Sequence, residues 1–311
     1  MKLKKHFLPI KNDPGRRKFI ADVTTLAGTS VLLATPMMSL ANKFINTDKA
    51  WTVGQIMELF IKNVPGSPFK TTVDTLKAGS ESIVVTGIVT SMFPTVAVIE
   101  KAIALGTNFI IAHEPSFYNH LDETNWLQND EVYNYKADLL KKHNIAIWRN
   151  HDYIHGLVPD GVRKGLLQQL NWEQYYDPKA SNVMLIPATT LNTLIGHVKE
   201  KLNIPMLRYI GDLSQSCHKI LLMPGASGGK RQIEAMSSEK PDVLLCGEIS
   251  EWETAEYVRD AQAEGRKLSL VVLGHIASEE PGSEFMANWL KEKVPGIKVT
   301  HVPSQNSLSF I

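Results

Sequence analysis

The feature that most limits what this chain can fold into is a repeated unit. A short apolar run of strand-forming residues stops abruptly at a histidine or a carboxylate, and a stretch with helical spacing follows. The unit occurs at 107–112 (TNFIIA), before His113-Glu114-Pro115, and at 145–148 (IAIW), before Arg149-Asn150-His151-Asp152. It returns at 242–246 (DVLLC), before Gly247-Glu248, and at 268–273 (LSLVVL), before Gly274-His275. Runs this apolar read as strands buried on both faces. Helical spacing marks 51–64, which stops at Pro65-Gly66, then 94–105 before Gly106, 131–143, 161–170, 190–202, a stretch ending near Ser238, and 251–263. A last helix is expected over 281–294, with Pro281 in its first turn and Glu284 near its positive end. Further strands are expected at 82–90 (SIVVTGIVT), 182–187 and from Lys219 (KILLMPGAS).

Strand and helix alternate throughout, which predicts an α/β fold with mostly parallel sheets. SIVVTGIVT, a helix and NFIIAHE are echoed by KILLMPGAS, a helix and DVLLCGE, which indicates an internal duplication. The expected architecture is two similar, intertwined αβα halves, roughly 51–170 and 182–311.

In such sheets functional groups collect at the carboxyl ends of the strands. Five donors sit there: His113, Glu114, His155, His275 and Glu279. His275 and Glu279 are spaced i, i+4 and can face one cation. Imidazole mixed with carboxylate suits zinc, iron or manganese, and five side chains exceed what one tetrahedral ion takes. Two divalent ions about 3.5–4 Å apart, bridged by a water held as hydroxide, are the natural reading. Asp152 is the substitute ligand should His155 not take part. Glu248, Glu251 and His151 are the candidates for moving protons, although Glu248 and Glu251 can equally be carboxylates at the positive end of a helix.

Other features carry less. The glycine turn GASGG at 225–229 reads as structural, with anion contact as its alternative; Lys230 and Arg231 do not fit a nucleotide-binding lysine and hydroxyl. His120, His143, His197, His218 and His301 are assigned to surface or structural roles. Tyr118 and Trp148 stand near the strand ends, as entrance or as core. The two cysteines, Cys217 and Cys246, make no disulfide framework, and Cys246 reads as a buried free thiol. A net charge of +1 over 311 residues gives no reason to expect a nucleic acid or an anionic membrane as partner.

The opening is an address. Lys2, Lys4, Lys5, Arg16 and Arg17 precede an uncharged run at 23–38, too short and too rich in threonine to span a bilayer, and Ser39-Leu40-Ala41 fits a cleavage site. Arg16-Arg17-Lys18-Phe19-Ile20 is similar to a twin-arginine signal, with Pro14-Gly15 in place of the usual hydroxyl residue. Cleavage after Ala41 and a bacterial periplasmic location are expected, leaving 42–311 as one domain with no membrane attachment.

Three stretches then resemble a family. IIAHEP (110–115), LLCGEISE (244–251) and GHIASE (274–279) are similar to the strand-end motifs of the NIF-three-like proteins (NGG-one-interacting factor three), the GTP cyclohydrolase I type 2 homologues. The resemblance implies their fold, a dinuclear metal centre and a toroidal hexamer, without the inserted domain of longer members. Two positions depart from the family. Glu114 stands where a second histidine is usual, and His155 where an aspartate is usual, His151 matching the histidine before it. The exchange preserves both ligand number and carboxylate charge. The expected function is a metal-dependent hydrolase using a metal-bridging hydroxide on an unidentified small molecule. A non-enzymatic metal-binding or metal-delivery protein is the alternative, and a scaffold with a vestigial site the third reading.

Overall fold

The computed structural model describes residues 50–309 and 311. The expected signal and its cleavage point lie outside these residues.

Two five-stranded sheets organise the chain. In the first, β2 (Ile88–Ser91), β3 (Phe109–Ala112) and β4 (Ala146–Arg149) lie side by side and parallel. β10 (Val299–His301) extends them in parallel beside β2, and β1 (Leu76–Ala78) closes the other edge antiparallel to β4. In the second sheet β7 (Ser216–Met223), β8 (Val243–Cys246) and β9 (Ser269–Val272) are the parallel centre. Both its edges are antiparallel: β5 (Val183–Thr190) beside β7 and β6 (Arg208–Ile210) beside β9. The fold is therefore α/β with two mixed, mostly parallel sheets. β1, β6 and β10 are short edge strands without an apolar run to announce them.

Every residue of β2, β3, β4, β8 and β9 is buried, because helices cover both faces. On one face of the first sheet Val89, Ile110 and Ile147 pack with α2 (Val96–Ala104) and α3 (Glu131–Lys142). On the other, Ile88, Phe109 and Trp148 pack with α1 (Val53–Ile61) and α9 (His275–Lys293). A helix shared by both halves, α5 (Gly161–Leu170), gives Val162 to that core and Leu166, Leu167 and Leu170 to the core of the second sheet. There they meet α6 (Leu191–Lys201), while α7 (Gly229–Glu239) and α8 (Glu256–Ala263) cover the far face. Because α9 leaves the second sheet and leads into β10 of the first, the halves interlock. All these residues belong to one compact unit, and no helix among the described residues is long and apolar enough to cross a membrane.

Three expectations are corrected. The strand expected over 82–90 begins only at Ile88, since the preceding loop caps α1 instead: Ile83 O and Glu81 O accept from Val53 N and Gly54 N, both at 3.0 Å. The last helix begins at His275, so Pro281 lies inside it rather than in its first turn. Proline removes one N–H there, and the helix continues through the buried Met286, Ala287 and Leu290. The helix expected from Glu251 opens as a wide π-helical turn, Glu251–Ala255, before α8. Both cysteines are free and buried, and burial pushes the Cys246 thiol up to about 12.

Candidate metal centre

Register brings the donors together. Ala112 pairs with Arg149 across β3 and β4, so the residues that follow, His113 and Asn150, emerge level at the mouth of the sheet. His151 and His155 start and finish the single turn α4 (Asp152–His155) and its approach, and their i, i+4 spacing puts both rings on one side. Buried Asp74 anchors that turn by accepting from His151 N at 2.8 Å and Tyr153 N at 2.7 Å. From the second sheet, β9 delivers His275 as the first residue of α9, and Glu279 follows one turn later.

The side chains converge. The rings of His113, His151 and His155 lie 4.8, 5.1 and 4.9 Å apart, centroid to centroid. Glu279 Oε2 is 3.4 Å from His113 Nε2 and 3.0 Å from His275 Nε2. Glu114 Oε1 is 3.3 Å from His275 Nε2 and 3.9 Å from His151 Nε2. Two sets of donors lie close enough to hold an ion, His113 with His151 and His155, and His113 with Glu114 and Glu279, each within 4.8 Å of one another. His113 belongs to both.

The donor chemistry fits a divalent cation. Each of the four imidazoles has its Nδ1 beside an acceptor: Asn150 O at 3.3 Å from His113, Asp152 Oδ1 at 2.9 Å from His151, Asp160 Oδ2 at 2.8 Å from His155, and Glu248 Oε1 at 2.9 Å from His275. An acceptor there favours hydrogen on Nδ1 and turns the Nε2 lone pair inward, as metal-ligating histidines require. His113 Nε2 is buried and lacks a well-formed hydrogen bond, a cost that coordination would remove.

Charge tells the same story. Burial alone would depress His275, but Glu114, Glu248 and Glu279 around it hold its imidazole up at about 11. Burial opposes the Glu279 and Glu114 carboxylates, yet the neighbouring imidazoles hold both below the usual carboxylate range. Burial, followed by the neighbouring His113, pushes His151 down to about 4. An acid-rich cluster thus holds a proton on His275 where a bound cation would supply the charge. Beneath it Arg149, fully buried, reaches Glu114 Oε2 at 3.3 Å and sets that carboxylate in place.

The five expected ligands His113, Glu114, His155, His275 and Glu279 lie in this one cluster. His151, expected to move protons, sits among the histidines as a sixth donor, with Asp152 as its hydrogen-bond partner. Glu248 reaches the cluster through His275. Glu251 does not: the π-helical turn carries it to the exposed surface, where it pairs with Arg208 at 2.6 Å. His120, assigned to the surface, lines the same cavity, its ring 6.2 Å from that of His151. His197 stacks on Trp172 and His301 pairs with Glu280, and neither belongs to the two donor sets; Trp148 is core, and Tyr118 lines the cavity. GASGG is shaped by the cluster, since a Cβ on Gly225 would lie 2.1 Å from Glu279 Oε1. Sequence reasoning missed Asp74, Asp160 and Arg149. Asp160 carried a signal, a carboxylate placed to cap α5 five residues after His155.

Glu114, His151, His155, His275 and Glu279 line a cavity of about 1390 Å³. Interlocked parallel-sheet halves with a buried histidine and glutamate cluster at their mouths define a class of α/β protein with a candidate metal site. Residues 71–308 match the family Duf34/NIF3 (NGG1p interacting factor 3), and the chain belongs to it. A GTP cyclohydrolase 1 type 2 homolog of Clostridium acetobutylicum is 24% identical over 246 residues, 75% of this chain and 87% of its own. Among solved structures, a hypothetical protein of Staphylococcus aureus superposes with a TM-score of 0.67 at 21% identity, covering 84% of this chain and 99% of its own. A Bacillus cereus protein related to NIF3 gives 0.66 at 16% identity, covering 84% and 98%. These likenesses show the shared fold.

Proposed function

We propose that the cluster is a dinuclear divalent-metal centre and that the protein is a metal-dependent hydrolase of a small molecule. The single observation that carries this reading is the common orientation of four imidazoles. All have Nδ1 tied back to an acceptor and Nε2 left for the centre, beside two buried carboxylates. His113, His151 and His155 would hold one ion; Glu114, His275 and Glu279 would hold the other. Zinc, iron and manganese all suit this mixture. Bound divalent ions acidify water and polarise a substrate oxygen.

The chain's own groups supply the rest. Arg149 keeps Glu114 from swinging out of the cluster. Glu248 stands at the cavity wall with Oε1 on His275 Nδ1, where it can take a proton from a water and return it to a leaving group. The cavity volume admits a small molecule whole. The basic opening of the chain supports export, and family resemblance supports assembly into a ring.

The test is turnover by metal-loaded and chelator-treated protein over esters, amides, phosphoesters and cyclic nucleobases. Metal-dependent turnover of one class, abolished in His275→Ala, is expected. Absence of turnover across the panel by protein with full metal content would overturn the hydrolase assignment.

A further inference from the structure

The same cavity contains a buried cation that the metal cluster does not use. Lys136 occupies a core-facing position of α3, with Leu140 one turn on, and is 4% exposed. Its Nζ donates to Ser116 O at 2.6 Å and lies 5.6 Å from the ring centroids of both Phe117 and Tyr118. Among the described residues no carboxylate reaches it within ion-pairing distance. The acid whose charge reaches it, Asp122, is already engaged by Lys77 at 3.2 Å, by Arg149 at 3.7 Å, and by the amides of Ser116 and Phe117. An ammonium has three donors, and one of them is used. Burying such a group without a counter-charge is costly, and burial pushes Lys136 down to about 8.

A second group beside it is also unsatisfied. The Ser116 hydroxyl is buried without a hydrogen-bond partner. Both residues line the cavity that Glu114, His151 and Glu279 line, and Ser116 is two residues from Glu114. In the same loop Tyr118 sits at φ 66°, a left-handed conformation unfavourable for an aromatic residue, with its ring centroid 5.6 Å from the ammonium.

We propose that Lys136 and Ser116 form an oxyanion subsite, and that the substrate carries a carboxylate or phosphate group which docks there while its scissile bond lies over the histidine and glutamate cluster. The assignment of the bound anion as substrate rests on the hydrolase reading; the subsite itself does not. An incoming oxyanion would supply the counter-charge that Lys136 lacks and the acceptor that Ser116 lacks.

Calorimetric titration of the full chain with inorganic phosphate, and separately with acetate, tests this with and without chelator. Binding in chelator-treated protein, weakened roughly tenfold or more in Lys136→Met and reduced in Ser116→Ala, is expected. Tighter binding of phosphate or of acetate would name the oxyanion. Ser116→Ala removes a hydroxyl that bonds nothing in the fold, so it remains informative if Lys136→Met does not fold. A His275→Ala, Glu279→Ala protein should retain the binding, whether or not the cluster holds metal. Equal binding by wild type and both subsite variants, no binding of either anion, or binding lost only with the cluster residues would overturn the proposal.

Discussion

The two halves solve the same structural problem with different residues. Two positions after β3 stands Glu114, and two positions after the equivalent β8 stands Glu248. At the helix that follows the next strand, one half places His151 and His155 and the other His275 and Glu279, each pair spaced i, i+4. The difference is sharpest one residue after β3 and β8, where one half has His113 and the other Gly247. A Cβ on Gly247 would lie 2.5 Å from Ser278 Oγ and 2.6 Å from the backbone of Gly225, so no side chain fits there. His113 has room, and it belongs to both donor sets. The pairs also differ in depth: Glu114 is buried on Arg149, whereas Glu248 is exposed and meets the centre only through His275. A duplicated frame has thus become asymmetric, with the shared histidine supplied by one half.

Breaking the shared element should cost most. At a metal concentration one hundred times Kd, each filled site stabilises the fold by about 2.7 kcal/mol. His113→Ala, which removes a ligand of one ion and the neighbour of Glu279 beside the other, should remove at least half of the metal-dependent rise in melting temperature, while His151→Ala with His155→Ala, or His275→Ala with Glu279→Ala, should each remove about half. Gly247→Ala asks whether the other half tolerates a side chain; a loss of about 1–3 kcal/mol in denaturant unfolding is expected from overpacking. Glu248→Gln should weaken metal affinity about 10–100-fold by loosening His275, and Glu114→Gln should weaken it further, both read by competition with a chelating dye.

The last effect, confined to alkaline pH, concerns Lys136. Its folded pKa of about 8 lies below its ordinary 10.5. Below pH 8 both states carry the proton; between 8 and 10.5 the unfolded chain binds more protons, so this residue makes stability rise with pH. Lys136→Met should remove that contribution to the rise, measured as the difference between the two unfolding curves across pH 8 to 10.5.

How much the sequence disclosed depended on periodicity. Continuous apolar runs identified β3, β4, β8 and β9, because burial on both faces leaves no polar residue to blur them. The edge strands β1, β6 and β10 were illegible, as three half-exposed residues carry no pattern. His113, Glu114, His275 and Glu279 were legible because each follows a strand end. His151 was visible at such an end, but its place inside the histidine trio depended on how tightly α4 turns, which Asp74 decides from 77 residues away. Glu251 misled for the converse reason: a helix start looks alike in sequence whether it opens toward the site or, through a π-helical turn, away from it. Lys136 stayed hidden because a lysine on a charged helix reads as solvated until the packing of α3 is known.

The central claim is that one asymmetric cluster holds two ions, one on His113, His151 and His155 and the other on Glu114, His275 and Glu279. Elemental analysis of purified protein, after loading with zinc, manganese or iron and removal of excess, tests it most directly, alongside the two half-site double variants. The account predicts roughly two ions per chain in the wild type and about one in each double variant. No bound metal in the wild type under any of the three loadings would contradict it.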